Sequence, residues 1–173
     1  QLPDLIVSAL LNEMEPDDRT KLLEEVPAEI SNKILLRLDP DQRNIASKLL
    51  SYPENSVGRL MTPAFLALNH QMKVQAALEF IHWSTTLPTE YLNYLFVTTE
   101  DGKLLGEVSL ASLVVCDPPT LAISHIMKKS MVWLLATQDQ GHAVEFFRKY
   151  DCPYIPVVDE EQHILGKIGD VRS

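Results

Sequence analysis

Val97–Gly106 reads VTTEDGKLLG and Val157–Gly166 reads VVDEEQHILG, and this pair of segments decides the fold. Each segment begins with apolar residues typical of a strand, passes through a polar turn and returns to apolar residues before a glycine. The two copies lie 60 positions apart. A second pair of similar segments, Leu60-Met61 and Ile126-Met127, is separated by 66 positions. Such repetition indicates two copies of a single supersecondary unit.

Each copy has a predicted helix before its first quoted strand and another strand after the turn. The helices are marked by apolar residues on one face, namely Val74, Ala77, Leu78 and Ile81 in the first copy and Ala143, Val144 and Phe147 in the second. The strands are predicted over Tyr94–Thr98, Leu104–Ser109, Tyr154–Val158 and Ile164–Ile168. Each unit therefore reads strand, helix, strand, turn, strand, helix. A three-stranded sheet covered on one side leaves an apolar face, which we expect the twin copy to bury.

The N-terminal part of the chain has a different sequence pattern, which predicts short helices joined by tight turns. Pro16, Pro27 and Pro40 each stand at a predicted first helical position with acids nearby. The first helical residue has no hydrogen-bond acceptor for its N–H group within the helix, so proline, which lacks that group, loses no bond there. The helix dipole favours negative charge at the same end. With an opening helix from about residue 2 to 14, these starts predict four helices stacked as a repeat array, and residues 52–56 form the linker. The fold class is therefore α+β, an N-terminal all-α short-helix array followed by two β-α-β-β-α units.

Charge and composition narrow the classes of function. The 173 residues include 24 acidic and 15 basic side chains, a formal charge of −9. This surface repels nucleic acid phosphates, so we expect no nucleic acid partner, and it favours cations. Acidity that merely serves solubility is the alternative explanation. No apolar run approaches the roughly 20 residues of a membrane helix. Neither a Gly-x-Ser-x-Gly elbow nor a Gly-x-x-x-x-Gly-Lys loop occurs, so we expect no enzymatic activity.

Several motifs together resemble one known family. Ser56–Pro63 reads SVGRLMTP, Ser109–Leu113 reads SLASL, and Lys149-Tyr150-Asp151 leads into Ile155–Asp159, IPVVD. The pattern resembles the MgtE family of magnesium transporters, in which a short-helix N domain precedes tandem CBS domains, and it covers nearly the whole chain. The resemblance implies three domains: 1–52, the C-terminal part of the helical N domain; 57–118, the first CBS domain; and 119–173, the second, truncated at its end.

The resemblance also implies a function and partners. In the family this region lies on the cytoplasmic side of the cell membrane, is attached to a transmembrane domain of the same protein and forms a homodimer through its CBS domains. It binds Mg²⁺ between the helical domain and the CBS pair, and loss of the ions separates the two parts and releases the pore. We therefore expect a magnesium-sensing regulatory region in which acidic faces of the two parts meet across bound ions.

Candidate metal ligands follow from the oxygen preference of Mg²⁺, which takes one or two carboxylates and keeps several waters. Asp151 matches a metal-contacting position of the family, although an acid that starts a turn is the alternative reading. Glu13 and Asp17 stand at about the right distance before the linker to face the CBS pair. Asp17 and Asp18 also lie in a first helical turn, where dipole compensation alone explains an acid. Asp170 is a further candidate, whereas the turn 159–161 reads as a solvated hairpin tip.

Adenine nucleotides are the alternative ligand. Nucleotide-binding CBS domains carry a hydroxyl and, three residues later, an acid after the third strand. Here Ser109 supplies the hydroxyl and Ser112 occupies the acid position, and the second copy has Gly169 and Arg172 at these positions. We therefore expect at most weak ATP binding, through Ser109 and Ser112. A plain dimerisation scaffold is the third alternative.

Overall fold

The computed structural model describes residues 4–84, 92–129 and 132–169. Four short helices come first: α1 (Asp4–Glu13), α2 (Pro16–Glu25), α3 (Ala28–Arg37) and α4 (Pro40–Leu50). Pro16 and Pro40 open α2 and α4, as predicted, whereas Pro27 is the residue just before α3. The core of this helical array is formed by Leu11, Leu23, Leu38 and Ala46.

Two arginines, of which Arg19 is fully buried, connect neighbouring helices of the array. The last carbonyls of a helix lack partners within that helix. Arg19, which is fully buried, donates to the carbonyl oxygen of Leu11 at 3.2 Å and to Oε1 of Gln42 at 3.0 Å. Arg43 donates from Nε to the carbonyl oxygen of Leu35 at 2.9 Å. Each arginine thus ties the end of one helix to a neighbouring helix.

Two small sheets follow, one centred on each repeat. The first repeat contains α5 (Val57–Leu60), β1 (Ala67–Asn69), α6 (Val74–Trp83), β2 (Leu95–Thr98), β3 (Leu104–Val108) and α7 (Leu110–Val115). The second contains β4 (Lys128–Lys129), β5 (Leu134–Leu135), α8 (Gly141–Lys149), β6 (Tyr154–Val158) and β7 (Ile164–Gly169). In both repeats a parallel pair, β1 with β2 and β5 with β6, adjoins an antiparallel pair, β2 with β3 and β6 with β7. The predicted α+β class is confirmed.

The repeats exchange extended segments, which the sequence did not reveal. β4 belongs to the second repeat but pairs with β3 of the first, with Lys128 opposite Glu107. The reciprocal contact is a bridge between Thr62 of the first repeat and Lys167 in β7 of the second. The expected three-stranded sheet is therefore extended in each repeat by a segment of the other, because each outer strand still has unpaired backbone groups.

Most residues of the predicted inward faces of the two helices are buried, whereas Leu78 and Val144 are partly exposed. Val74, Ala77 and Ile81 of α6 belong to the first core, and Ala143 and Phe147 of α8 belong to the second. Between the repeats lies a smaller cluster that includes Phe96, Leu104 and Val158. The apolar face of each sheet is thus covered by its twin, as expected. Within the described ranges no helix has the length and apolar character needed to cross a bilayer.

Candidate functional site

One cleft lies at the end of β3, where the predicted nucleotide-binding serines are found. It has a volume of about 210 Å³ and is lined by Asn93, Tyr94, Glu107, Val108, Ser109, Ser112, Ile126 and Lys128. Ser109 Oγ accepts a hydrogen bond from the Ser112 amide at 3.1 Å and lies 2.9 Å from Ser112 Oγ. The Ser109 hydroxyl therefore caps α7, and no carboxylate comes from the start of that helix.

A second cleft adjoins the first and contains Asp151. It has a volume of about 220 Å³ and is lined by Tyr94, Glu107, Lys128, Lys129, Val132, Tyr150, Asp151, Cys152, Tyr154 and Pro156. All of these residues come from the two repeats. The clefts share Tyr94, Glu107 and Lys128. The structure therefore brings Asp151 and the two serines to one edge of the CBS pair, beside lysines rather than beside other candidate metal ligands.

Glu107 and Lys128 set the charge of this edge. Burial raises the pKa of the half-buried Glu107, and the neighbouring Lys128 opposes the rise. Burial also raises the pKa of Tyr94, and the charge of Glu107 adds to this effect. Sequence reasoning missed both charged residues, since they meet only because β4 of one repeat pairs with β3 of the other. No local pattern predicts that pairing.

The acids of the helical array differ in their surroundings. Glu13 and Asp18 are exposed, whereas Asp17 is half-buried in the first turn of α2. The pKa of Asp17 is raised, chiefly by burial and then by the charge of Asp18, while backbone N–H groups and Lys21 lower it. Ionisation of Asp17 is therefore less favourable in the folded chain than in an unfolded one, and a nearby cation would offset this difference.

The contact between the helical array and the CBS pair differs from the expected meeting of two acidic faces. Leu49 of α4, with Tyr52 beside it, packs into the second repeat's core next to Val57. Arg59 Nη1 lies 2.7 Å from Glu24 Oε1, which adds a pair of opposite charges. Among the described residues this contact is thus mainly apolar and includes an ion pair. The helical spacing marked an apolar face of α4 but did not assign that face to the second repeat.

The linker and the start of α5 are hydrogen-bonded to the second repeat as well as to the first. The amides of Val57 and Gly58 donate to the carbonyl oxygens of Gln138 and Ala136, both at 2.8 Å. The Gln140 amide donates to the carbonyl oxygen of Asn55 at 2.8 Å. The segment between β5 and α8 therefore contributes to the position of the helical array.

An acidic turn of the second repeat does face α4. Asp159, Glu160 and Glu161 line a cleft of about 530 Å³ together with Lys48 and Tyr52 of the helical array. Glu160 and Glu161 are exposed, in keeping with the predicted solvated hairpin tip, and the turn also borders α4. Across the part of the chain that the structure describes, no three His, Cys, Asp or Glu side chains are grouped so that they could hold a metal ion. Asp170 and Arg172 lie outside the described residues.

Comparison with known proteins identifies both parts of the chain. Residues 1–55 match the family model of the MgtE intracellular N domain, and residues 123–170 match that of the CBS domain. The magnesium transporter MgtE of Thermus thermophilus is 35% identical over 129 residues, which cover 75% of this chain and 28% of that protein. The Bacillus subtilis magnesium transporter MgtE is 28% identical over 156 residues, 90% of this chain and 34% of that protein. The chain thus spans about a third or less of these relatives.

Solved structures agree. The cytosolic domain of the Mg²⁺ channel MgtE in complex with ATP is 31% identical and superposes with a TM-score of 0.87, covering 97% of this chain and 68% of that one. The soluble part of a magnesium transporter, at 24% identity, has the same fold with a TM-score of 0.87, covering 97% of this chain and 65% of the other. The chain therefore belongs to the MgtE family of magnesium transporters and corresponds to the N domain and tandem CBS domains of its cytosolic region.

Proposed function

We propose that this chain is the Mg²⁺-sensing regulatory region of a magnesium transporter, that it lies on the cytoplasmic side of the cell membrane, and that it gates an attached transmembrane pore. Its role is regulatory and not catalytic. The division into 1–52, 57–118 and 119–173 is part of this proposal, as is the transmembrane domain of the same protein as a partner. The family relationship supports the proposal. One feature of the helical array supports it in terms of individual residues.

That feature is the half-buried Asp17 beside Asp18. Burial and like charge make the ionised form of Asp17 costly. A hydrated Mg²⁺ ion bound by Asp17, Asp18 or Glu13 offsets this cost, and Asp151 and Asp170 are the proposed ligands on the CBS side. An ion that binds one domain arrangement better than another shifts the population toward the first. Several weak sites of this kind give a response at millimolar concentrations.

A homodimer through the CBS domains is part of the same proposal. Large apolar side chains are exposed on α6 and α7, where Trp83 is 80%, Val115 78% and Val114 64% accessible. Apolar side chains that are this exposed are candidates for a protein interface. A second copy of the chain is the partner that we propose for it.

Nucleotide binding is the second candidate. The two adjoining clefts carry Lys128 and Lys129, whose charge suits phosphate groups. One solved relative is described in complex with ATP. The capping role of Ser109, the serine at position 112 and the carboxylate of Glu107 all reduce the attraction for a nucleotide. We therefore propose ATP as a weak ligand of this edge.

Titration of the purified chain with MgCl2 to about 20 mM tests the proposal, with thermal unfolding and small-angle X-ray scattering as readouts. We expect the unfolding midpoint to rise and the radius of gyration to fall. Because the folded-state pKa of Asp17 is raised, this group contributes stability below its unfolded pKa, and that contribution is lost as the pH rises through the folded pKa. Asp17→Asn should therefore stabilise the Mg²⁺-free chain slightly at pH 7 and weaken its response to Mg²⁺.

Asp41→Asn is the matched control, since Asp41 is an exposed acid in the first turn of α4. It should leave the Mg²⁺ response unchanged. Asp151→Asn should weaken the response from the CBS side. No change in either readout up to the highest Mg²⁺ concentration contradicts the sensing role, and a larger stabilisation by Mg²⁺-free ATP than by MgCl2 favours the nucleotide alternative.

A further inference from the structure

The hairpin turns of the two repeats meet at the pseudo-twofold axis between them. The Leu104 amide donates to the carbonyl oxygen of Gln162 at 2.9 Å, and the Ile164 amide donates to that of Gly102 at 3.0 Å. These two hydrogen bonds are equivalent under the 60-residue offset of the repeats. The backbone at this point is therefore symmetric, and any asymmetry comes from the side chains.

The side chain at the centre of this contact is His163, which is 27% exposed. Its Nδ1 lies 3.1 Å from Asp159 Oδ2 and 3.7 Å from Glu161 Oε2, both in its own turn. Its Nε2 lies 3.7 Å from Asp101 Oδ2, which belongs to the turn of the first repeat. One imidazole thus stands between carboxylates of both repeats.

The two turns carry far more negative than positive charge. The acids are Glu100, Asp101, Asp159, Glu160 and Glu161, and Lys103 is the permanent cation. Lys103 and His163 face each other as a backbone bridge and occupy equivalent positions in the two repeats. The first repeat therefore has a fixed positive charge where the second has a titratable one.

Asp101 and Asp159, two of the three carboxylates beside the ring, stay ionised over the pH range in which histidine side chains ordinarily titrate. A hydrogen bond from Thr99 holds the pKa of Asp101 below its ordinary value. Burial alone would raise the pKa of Asp159, but the N–H groups of His163 and Glu161 outweigh it and lower this pKa. Histidine side chains in general change charge between about pH 5 and 8, whereas these two carboxylates stay negative there.

We propose that protonation of His163 joins the two CBS repeats at their hairpin turns. A neutral imidazole has one N–H group. When Nδ1 carries it and donates to Asp159, Nε2 presents a lone pair to Asp101, and the two repeats gain no side-chain attraction. In the imidazolium, Nδ1 still donates to Asp159, and the positively charged ring lies 3.7 Å from Asp101 Oδ2, an ion-pair distance, so it attracts carboxylates of both repeats. The contact between the repeats is then tighter in acid than in base, independently of Mg²⁺.

Nuclear magnetic resonance on the intact chain tests the proposal at two sites. The imidazole carbon-bound protons of His163 report its titration, and Asp101→Asn should lower its proton affinity about two- to fivefold, the range of a partly exposed ion pair. Amide exchange of Leu104 and Ile164, corrected for intrinsic rates, reports the contact between repeats. We expect greater protection at pH 6 than at pH 8, and loss of this difference in His163→Gln.

His142→Gln is the control, because His142 is an exposed histidine in α8. It should retain the pH-dependent protection. An unchanged His163 titration in Asp101→Asn, or equal protection of the two amides at both pH values in the unmodified chain, overturns the proposal. The titration in Asp101→Asn decides the matter even if His163→Gln fails to fold.

Discussion

Two glycines allow the repeats to exchange backbone. A Cβ at Gly166 would lie 2.6 Å from the carbonyl oxygen of Thr62, and a Cβ at Gly106 would be closer still to that of Lys128. Backbone atoms cannot move aside as a flexible side chain can. Both glycines are therefore required by close approach and not by a turn conformation.

We predict that Gly106→Ala and Gly166→Ala each lower the free energy of unfolding by about 1–3 kcal/mol, because each forces strands of different repeats apart. Gly141→Ala is the control, since a Cβ there approaches only the Asp139 side chain, at 3.0 Å, in the first turn of α8. Urea unfolding measures the difference. Stabilities within experimental error of the unmodified chain for both replacements would show that the exchange is looser than described.

Equivalent residues of the two repeats can carry opposite charges. Glu107 and Lys167 are related by the 60-residue offset, yet Glu107 lines an open cleft while Lys167 is fully buried with Nζ 4.3 Å from the centre of the Tyr154 ring. A cation over an aromatic face is stabilised by the ring quadrupole. The two repeats therefore share a backbone plan but do not offer equivalent ligand sites.

Among the elements, α5 is the connection between the two parts of the chain. Its Arg59 donates from Nε to the carbonyl oxygen of Tyr52 at 2.7 Å and from Nη2 to that of Leu50 at 3.0 Å, and it pairs with Glu24 of α2. The side chain of Arg59 is only 14% exposed. A single residue thus caps α4 and ties α2 to the first repeat.

We predict that Arg59→Gln lowers the free energy of unfolding by about 1–3 kcal/mol, since two carbonyl groups and one carboxylate lose a charged donor. Arg37→Gln is the control, because Arg37 pairs with Asp4 at 3.3 Å while the side chains are 44% and 83% exposed. The free energy of unfolding of Arg37→Gln should be lower than that of the unmodified chain by less than about 0.5 kcal/mol. Equal losses in the two variants, measured by thermal and chemical unfolding, would contradict a specific role for Arg59.

At the scale of the whole molecule, the helical array has a core of its own, and its helix α4 also packs against the second repeat. Leu23 belongs to the core within the array, whereas Leu49 packs beside Phe147 in the core of the second repeat. The helical array can therefore unfold while the CBS pair stays folded. Disruption of the second repeat's core, by contrast, destabilises both parts of the chain.

We predict that Leu23→Ala costs about 2–5 kcal/mol and that this loss is confined to the array. Hydrogen–deuterium exchange followed by mass spectrometry should show lost protection in α1–α3 and retained protection in β2 and β6. Phe147→Ala, by comparison, should reduce protection in the second repeat and also in α4. A uniform loss along the chain in Leu23→Ala would mean that the two parts unfold as one unit.

Local features of the candidate sites were predictable to different degrees. Ser109 and Ser112 were found from a short motif, and the structure places both in one cleft. Asp151 was chosen by resemblance, and its role as a ligand stays a prediction, as do those of Glu13, Asp17 and Asp18. No local sequence pattern indicated that Lys128 belongs to the site, since Lys128 reaches the cleft only through a strand pairing between the repeats.

The four-helix array and the duplicated unit could be predicted from the sequence, because helix starts, apolar periodicity and turn residues act over a few neighbouring positions. The family was predicted from the resemblance of its motifs. Only the tertiary structure decided that β4 joins the other repeat's sheet, that Leu49 docks the array on the second repeat, and that His163 meets Asp101. Each of these contacts joins residues far apart in the chain, and which partners meet depends on how whole faces pack, a property that no local pattern encodes.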